Sequence, residues 1–327
     1  VIGVGERIRE TPKPNRKLMR LYKTISGLLE RVKIKPFQLE KEIQTIVESN
    51  VSNLFDLEFV KSELTFGNFR FDTLCFDKEL NSFVIIEYKK GSSYSVIDQG
   101  YTYLSLLLNN KSDFILEYNE TLNQNIKRDE VDWSQSKVIF ISPQFTDYQK
   151  NSVNFKNLPF ELWEITRYTD DSIGLSKIST ESVVDINSTM GDDTSNSVVG
   201  KVSKEVVRYD EDYHISKSKN RPDSVVELYR KLKNRILELG ENIEIRFGKQ
   251  TIGFTQNKVF TDLIIYNKGV VVMINLKKGV LEDPLNKTED VSEKGHWGNG
   301  DYKVVIKQEG ELEYIISLIN QSYQKQL

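Results

Sequence analysis

From Phe37 onward apolar residues recur at Leu39, Ile43, Ile46 and Val47, the spacing of a helix with one apolar side, while Glu40, Glu42 and Glu48 occupy its polar side. Short apolar or alternating runs at 55–60, 69–76 and 82–89 predict strands, and a Gly91-Ser92-Ser93 turn leads into a second helix over 97–108. Two more strands are predicted at 138–141 and 162–165. Between about 179 and 206 the periodicity dissolves into Ser, Thr, Asp, Asn and Gly, which reads as a linker. Beyond it, Val225, Leu228, Leu232, Ile236 and Leu239 mark one face of a helix over 224–239. Strands follow at 243–247, 259–266, 269–277 and 303–307, then a closing helix over 312–323. This order predicts an α/β protein: a mixed central sheet flanked by helices, then a second, smaller α/β domain. The expected division is an N-terminal arm over 1–36, a first domain over 37–178, a linker over 179–213 and a C-terminal domain over 214–327.

At 327 residues two domains are natural, and 38% hydrophobic with 28% charged residues is an ordinary globular composition. No apolar run approaches the ~20 residues that span a bilayer, so no membrane partner is expected. The longest such run, Val270-Val271-Val272-Met273-Ile274, has the length of a buried strand. Nothing at the start reads as a signal peptide. The single cysteine, Cys75, excludes an internal disulfide and a cysteine-rich zinc site, so a reducing, cytoplasmic setting is expected. The net charge of -3 is uninformative as a total. Its distribution is not: residues 1–35 carry Arg7, Arg9, Lys13, Arg16, Lys17, Arg20, Lys23, Arg31, Lys33 and Lys35 against Glu6, Glu10 and Glu30. That arm suits phosphate contacts, and it equally suits a solvated basic terminus.

The chemistry concentrates in Phe71-Asp72-Thr73 and Ile85-Ile86-Glu87-Tyr88-Lys89. Strand side chains alternate, so Glu87 and Lys89 project to one side of a strand whose preceding residues are apolar on both faces. A hard divalent cation gives an acid at the end of a buried strand a reason to be there. Mg²⁺, or Mn²⁺, takes carboxylate oxygens from Asp72 and Glu87, polarises a phosphoryl oxygen and acidifies a bound water, with Lys89 offsetting phosphate charge. Gln99 and Tyr103, four apart, share a face of the next helix. On the first helix Glu42 is the expected third metal carboxylate, with Glu48 its rival. An exposed strand carrying a Glu–Lys pair would be written alike locally, so the weight lies on the whole ordered set.

That set, helix Glu, strand Asp, strand Glu-x-Lys, helix Gln-x-x-x-Tyr, resembles the PD-(D/E)XK nuclease superfamily, including its RecB-like and archaeal mismatch-nuclease-like branches. The wording around Arg70–Leu74, Ile86–Lys89 and Asp98-Gln99-Gly100 also resembles prokaryotic proteins in which such a domain precedes a DUF5655 domain. Phe71 stands where the superfamily name has proline. The resemblance implies a restriction-endonuclease-like core over roughly 37–170 and metal-dependent cleavage of phosphodiesters. It makes Asp72 and Glu87 metal ligands with Glu42 as the helix carboxylate, Lys89 the catalytic lysine, and Gln99 and Tyr103 organising residues. Arg70 and Lys90 flank the set as substrate contacts.

The C-terminal half holds a local echo, Phe260-Thr261-Asp262-Leu263 before Ile274-Asn275-Leu276-Lys277, with an amide where the first copy has Glu87. Two antiparallel strands written alike explain it better than a repeat, and no second active site is expected. Gly295-His296-Trp297-Gly298-Asn299-Gly300 resembles the signature loop of DUF5655. His296 and Trp297 are candidate contacts to a base or phosphate, although a tight turn with Trp297 capping the core accounts for the same residues. His214 reads as a surface residue. The expected function is a metal-dependent nuclease acting on nucleic acid, DNA before RNA, with a binding, regulatory or homodimer-forming C-terminal domain. The alternatives are a catalytically silent nucleic-acid-binding protein and an interaction or assembly protein.

Overall fold

The computed structural model describes residues 20–91, 95–155, 158–179 and 197–326. A short hairpin of β1 (Tyr22–Ile25) and β2 (Leu28–Arg31) opens the described chain. The C-terminal part of the expected basic arm is therefore a hairpin; the arm's first 19 residues lie outside the described residues. Next come helices α1 (Glu40–Glu48) and α2 (Val51–Phe55), then strands β3 (Glu58–Phe66), β4 (Phe69–Asp77) and β5 (Ser82–Tyr88). The strand expected over 55–60 begins late because Phe55 ends α2 and Asp56, at φ 54°, turns the chain out of the helix. Helices α3 (Val96–Asn109) and α4 (Lys111–Leu122) cross over to β6 (Lys137–Ser142). Helix α5 (Asp147–Ser152), β7 (Phe160–Arg167) and β8 (Ile173–Lys177) follow.

These strands form a six-stranded sheet in the order β3-β4-β5-β6-β7-β8. Its middle, β5-β6-β7, is parallel and both flanks are antiparallel, which is the mixed sheet expected. Each face has its own core. Leu104, Leu107, Phe114 and Tyr118 of α3 and α4 pack on Phe76, Phe83, Ile85 and Phe140. Ile43, Val47 and Val51 of α1 and α2 pack on Val84, Ile86, Ile139 and Ile141. Covered on both sides, every residue of β5 is buried.

The expected linker needs correction. Helix α6 (Val198–Glu205) lies within it, and Val202 and Val206 are buried in the core beneath α3. Few apolar residues mark this stretch, yet Val198, Val199, Val202 and Val206 follow helical spacing.

After α7 (Glu211–Ser216) and α8 (Asp223–Leu237) come β9 (Glu244–Phe247), β10 (Ile252–Thr255), β11 (Val259–Tyr266), β12 (Gly269–Ile274), β13 (Glu289–Asp290) and β14 (Tyr302–Ile306), and the fold closes with α9 (Leu312–Gln324). The second sheet, in the order β13-β14-β12-β11-β10-β9, is antiparallel throughout. Helices α8 and α9 cover one face, where Leu228, Leu232, Ile315 and Ile319 meet Phe254, Phe260, Val272 and Ile306. The other face carries only a small cluster of Ile264, Val271, Met273 and Val291. No described helix is long and apolar enough to cross a membrane.

The two sheets meet through the β4–β5 turn. Asp77 accepts the Glu79 and Leu80 N–H groups, each at 3.0 Å, and so aims Glu79 at the second sheet. There Glu79 pairs with Arg246 at 3.0 Å. A Cβ on Gly253 would stand 2.7 Å from Glu79 Oε1 and 3.2 Å from Asp262 Oδ1, so glycine alone leaves room for both carboxyl groups. Burial, then the Asp262 charge, pushes Glu79 up to about 8, while burial pushes Asp262 up to about 6. The folded chain thus holds protons that an unfolded chain releases at its ordinary values of 4.5 and 3.8. Stability from this contact is complete below those values and is lost as pH rises through about 6 and on to about 8. Thermal unfolding of the full chain is expected to move to lower temperature between about pH 5 and 8, and Glu79→Gln to remove most of that descent, since Asp262 contributes only up to about pH 6. Equal slopes in parent and variant would mean that the pair ionises freely.

Candidate active site

The antiparallel ladder between β4 and β5 ends at the pair Thr73–Ile86, and Asp72 and Glu87 are the next residues of the two strands. The Asp72 charge acts on Glu87, so the two carboxyl groups are neighbours. The Asp72 carboxylate accepts the Tyr88 N–H at 3.0 Å. Glu87 Oε1 accepts from Lys89 Nζ at 2.7 Å and from Gln99 Nε2, also at 2.7 Å. The second Gln99 Nε2 proton goes to the Tyr103 hydroxyl at 2.7 Å, which donates to the Arg70 carbonyl at 3.1 Å. Strand alternation puts Glu87 and Lys89 together, and α3 presents Gln99 and Tyr103 on one stripe because Ser95 caps its start and Val96, Gly100, Leu104 and Leu107 are its buried side. Gly100 lets α3 lie close to β7, since a Cβ there would meet the Phe160 ring at 2.6 Å.

Both side chains of the Glu87–Lys89 pair are nearly out of water, at 5% and 10% exposure. Burial first, then the Asp72 charge, raises Glu87 to about 6 against the pull of Lys89. Burial likewise raises Asp72, opposed by the Tyr88 N–H and by Lys89. Among the described residues, Glu87 Oε2 and Gln99 Oε1 are buried with no hydrogen-bond partner. Two neighbouring acids, one with an orphaned oxygen, suit a hard cation: carboxylate donors are present, and a positive charge would remove the repulsion that raises Glu87. No group of three or more His, Cys, Asp or Glu residues arranged for a metal occurs among the described residues.

Glu42 is not part of this group. Its Oε2 accepts the Gln38 and Leu39 N–H groups at the start of α1, and its Oε1 is held by Arg167 at 3.2 Å. Those N–H groups, foremost that of Leu39, hold its carboxyl below the usual range. The helix acid that faces the site is Glu40, which accepts the Lys90 N–H at 2.7 Å and whose charge acts on Asp72. A signal for this was present: Glu40 lies three and seven positions before the buried Ile43 and Val47, on their stripe, whereas Glu42 is turned away from it. Glu48, the rival, accepts the Thr73 hydroxyl at 2.7 Å on the sheet face that carries Tyr88 and α1, opposite Glu87. Gln44 joins this network, donating to Glu48 at 2.9 Å and to the Asp72 carbonyl at 3.1 Å, and sequence reasoning missed it.

Arg70 contributes its carbonyl; its side chain is exposed and 3.7 Å from Glu63. The Lys90 ammonium donates to the Gln38 carbonyl at the rim. His296 and Trp297 lie elsewhere: they line a cleft with residues 78–81, at the far end of the β4–β5 hairpin. Five residues of strand separate that end from Glu87, about 17 Å. His214, expected at the surface, is buried, and its ring contacts the Gly248 carbonyl at 2.8 Å. The echo in the second sheet does not share the first hairpin's register. Asp262 stands opposite Met273, and Asn275 reaches it only at 3.4 Å.

An acid on α1, Asp on β4, Glu-x-Lys on β5 and Gln-x-x-x-Tyr on α3 follow one another in the expected order, and the α1 acid beside this group is Glu40, not Glu42. The second sheet falls within residues 211–326, which match DUF5655, a domain of unknown function. The whole chain is 43% identical over 305 residues to an uncharacterized protein of Haemophilus influenzae, covering 93% of this chain and 99% of that one, and it belongs to the same family. Among solved structures it is similar to a repair endonuclease from Pyrococcus abyssi, with 16% identity over 38% of this chain and 47% of that one and a TM-score of 0.24. An EndoMS–dsDNA complex matches at 17% identity over 40% and 47% of the two chains, with a TM-score of 0.23. SfsA of Pyrococcus furiosus in complex with Ca²⁺ matches at 12% over 48% and 80%, with a TM-score of 0.24. The chain thus spans just under half the length of the first two, and TM-scores at this level do not establish a common fold.

Removing the Tyr103 hydroxyl tests the network. Tyr103→Phe leaves the Arg70 carbonyl and one Gln99 proton unmet, which is expected to cost about 1–2 kcal/mol in urea unfolding. An unchanged midpoint would mean that the chain from Arg70 to Glu87 is not coupled.

Proposed function

We propose that this protein is a metal-dependent nuclease that hydrolyses phosphodiester bonds of nucleic acid, DNA before RNA, at Asp72, Glu87 and Lys89. What supports the reading above all is the pair of neighbouring carboxylates at the ends of two adjoining strands, half-buried Asp72 and buried Glu87, with Glu87 Oε2 left unmet beside an ammonium group. An enclosed pair of this kind destabilises the chain, and structural stability offers no reason to keep it. Asp72 and Glu87 would hold Mg²⁺ or Mn²⁺. When bound, such an ion supplies Lewis acidity toward a phosphoryl oxygen and lowers the pKa of water.

The chain's own residues do the rest. Lys89 sets a positive charge where negative charge grows on the phosphate oxygens. Gln99, steadied by Tyr103, fixes the Glu87 carboxyl through Oε1 and leaves Oε2 facing the site. Glu40 adds negative potential and anchors the backbone after Lys89 through the Lys90 N–H. Lys90 and Arg70 stand at the rim as substrate contacts. On this reading the nuclease unit continues past the proposed boundary at 178 to include α6, and the C-terminal unit binds or regulates. A cytoplasmic setting is part of the same proposal, consistent with a free, buried Cys75.

The test is a panel of end-labelled single- and double-stranded DNA and RNA, with Mg²⁺, with Mn²⁺ and with chelator. Cleavage is expected only with metal, and Asp72→Asn, Glu87→Gln and Lys89→Ala should each lower it roughly 10²–10³-fold or more while the chain stays folded. Glu40→Ala should reduce cleavage, whereas Glu42→Ala should weaken folding and leave the rate per folded molecule unchanged. Metal-dependent cleavage surviving in both carboxylate variants would remove the proposed site.

A further inference from the structure

The second sheet has a face that α8 and α9 do not cover. Across it runs an apolar row over three strands, Ile264 opposite Val271 and Val271 opposite Val305. The row lines a cavity of about 630 Å³, within the roughly 300–1,000 Å³ of small-ligand sites. Two aromatic side chains that the core does not need line it as well, Tyr266 at 52% exposure and Trp297 at 59%. Large exposed rings of this kind mark recognition surfaces more than stability.

The charge around the cavity has one sign. Lys217, Arg221 and Lys268 line it, and no Asp or Glu does, in a chain whose net charge is -3. The acceptors that hold these cations are neutral. Lys217 donates to the Lys249 carbonyl and to Gln250 Oε1, each at 2.8 Å. Arg221 donates to the carbonyls of His214, Ile215 and Ile265, and its Nε–H is buried without an acceptor among the described residues. The charges that act on Lys217 are those of Lys249 and Arg221, both positive. A cluster of cations held on carbonyls repels itself and favours an anion.

We propose that this cavity binds a segment of single-stranded nucleic acid, with an unstacked base against the Ile264–Val271–Val305 row and the rings of Tyr266 and Trp297, and the adjoining phosphates on Lys217, Arg221 and Lys268. Single strands expose base faces that a duplex hides, and an aromatic ring with an apolar floor accepts any base while cations follow the backbone. An acidic peptide would answer the charge and leave the rings and the apolar row unused. The site lies on the second sheet, away from Asp72 and Glu87, and the proposal goes beyond the nuclease reading without requiring it.

Fluorescence anisotropy of a short fluorescein-labelled oligothymidine with the full chain, in chelator so that nothing is cleaved, tests this. The parent is expected to bind the single strand more tightly than a duplex of equal length. Trp297→Ala is expected to weaken binding on the order of 10-fold or more, as loss of one stacking ring does. Lys268→Ala should weaken it and reduce the slope of log affinity against log salt by about one. Binding by both variants equal to the parent's, no binding by the parent, or displacement of the oligonucleotide by polyglutamate as readily as by unlabelled strand would each overturn the site. Cleavage assayed separately tells the two ideas apart: metal-dependent cleavage alongside unchanged binding in Trp297→Ala removes this site and leaves the first sheet's chemistry standing.

Discussion

Asp72, half-buried, and Glu87, buried, lie near each other at the ends of two neighbouring strands, and most of what surrounds them answers the repulsion this creates. An enclosed carboxylate loses its hydration, and a second one beside it adds a like charge, so each holds its proton more tightly than it would in water. Lys89 gives back part of the lost stabilisation, as do the Tyr88 N–H to Asp72 and the Gln99 amide to Glu87. The compensation is incomplete, since Glu87 Oε2 has no partner among the described residues. A chain selected for stability alone would put apolar side chains at such positions. Incomplete compensation is what a site waiting for a cation and a phosphate would keep.

The two sheets use their faces differently, and this divides the labour proposed for them. In the first, helices cover both faces, and the proposed chemistry lies at the strand end that carries Glu87 and Lys89. In the second, α8 and α9 cover one face and the other stays open, with a shallow apolar row bordered by cations and aromatic rings. The first is a place where water can be excluded and electrostatic effects are strong. The second is accessible enough for a polymer. Glu79 ties them together, but at the opposite end of the hairpin that carries Asp72 and Glu87, so the contact between units does not obstruct the candidate active site.

Where the sequence was misleading, the reason is local and physical. Along α1 the choice between Glu40 and Glu42 is a choice of helix rotation: two residues apart is a turn of about 200°, and only the packing of Ile43 and Val47 on the sheet fixes which acid points inward. The echo around Asp262 looked like the first hairpin because spacing along a chain says nothing about register across it, and a shift of two residues left Asn275 beyond Asp262 rather than opposite it. Residues 198–206 read as linker because four valines among polar residues give a weak periodic signal, which the groove against α3 completes. His296 and Trp297 were expected to touch a base or phosphate, and chemistry carries no information on which end of a hairpin a distant loop reaches.

By itself, then, the sequence determined whatever depends on a fixed local period. Alternation along a buried strand put Glu87 and Lys89 on one side, and helical spacing put Gln99 and Tyr103 on another. The length and composition of the apolar runs supplied a mixed sheet with a second α/β unit behind it. Tertiary structure alone decided the meetings between elements: Asp72 near Glu87, Glu40 rather than Glu42 beside Lys90, Glu79 against Gly253 and Asp262, and a cationic, aromatic cavity on the face that α8 and α9 do not cover. The division follows from the forces involved. Periodicity is a property of backbone geometry, repeated every two or 3.6 residues. Register, helix rotation and the partner of a buried charge are settled only when surfaces far apart in the chain compete to leave water together.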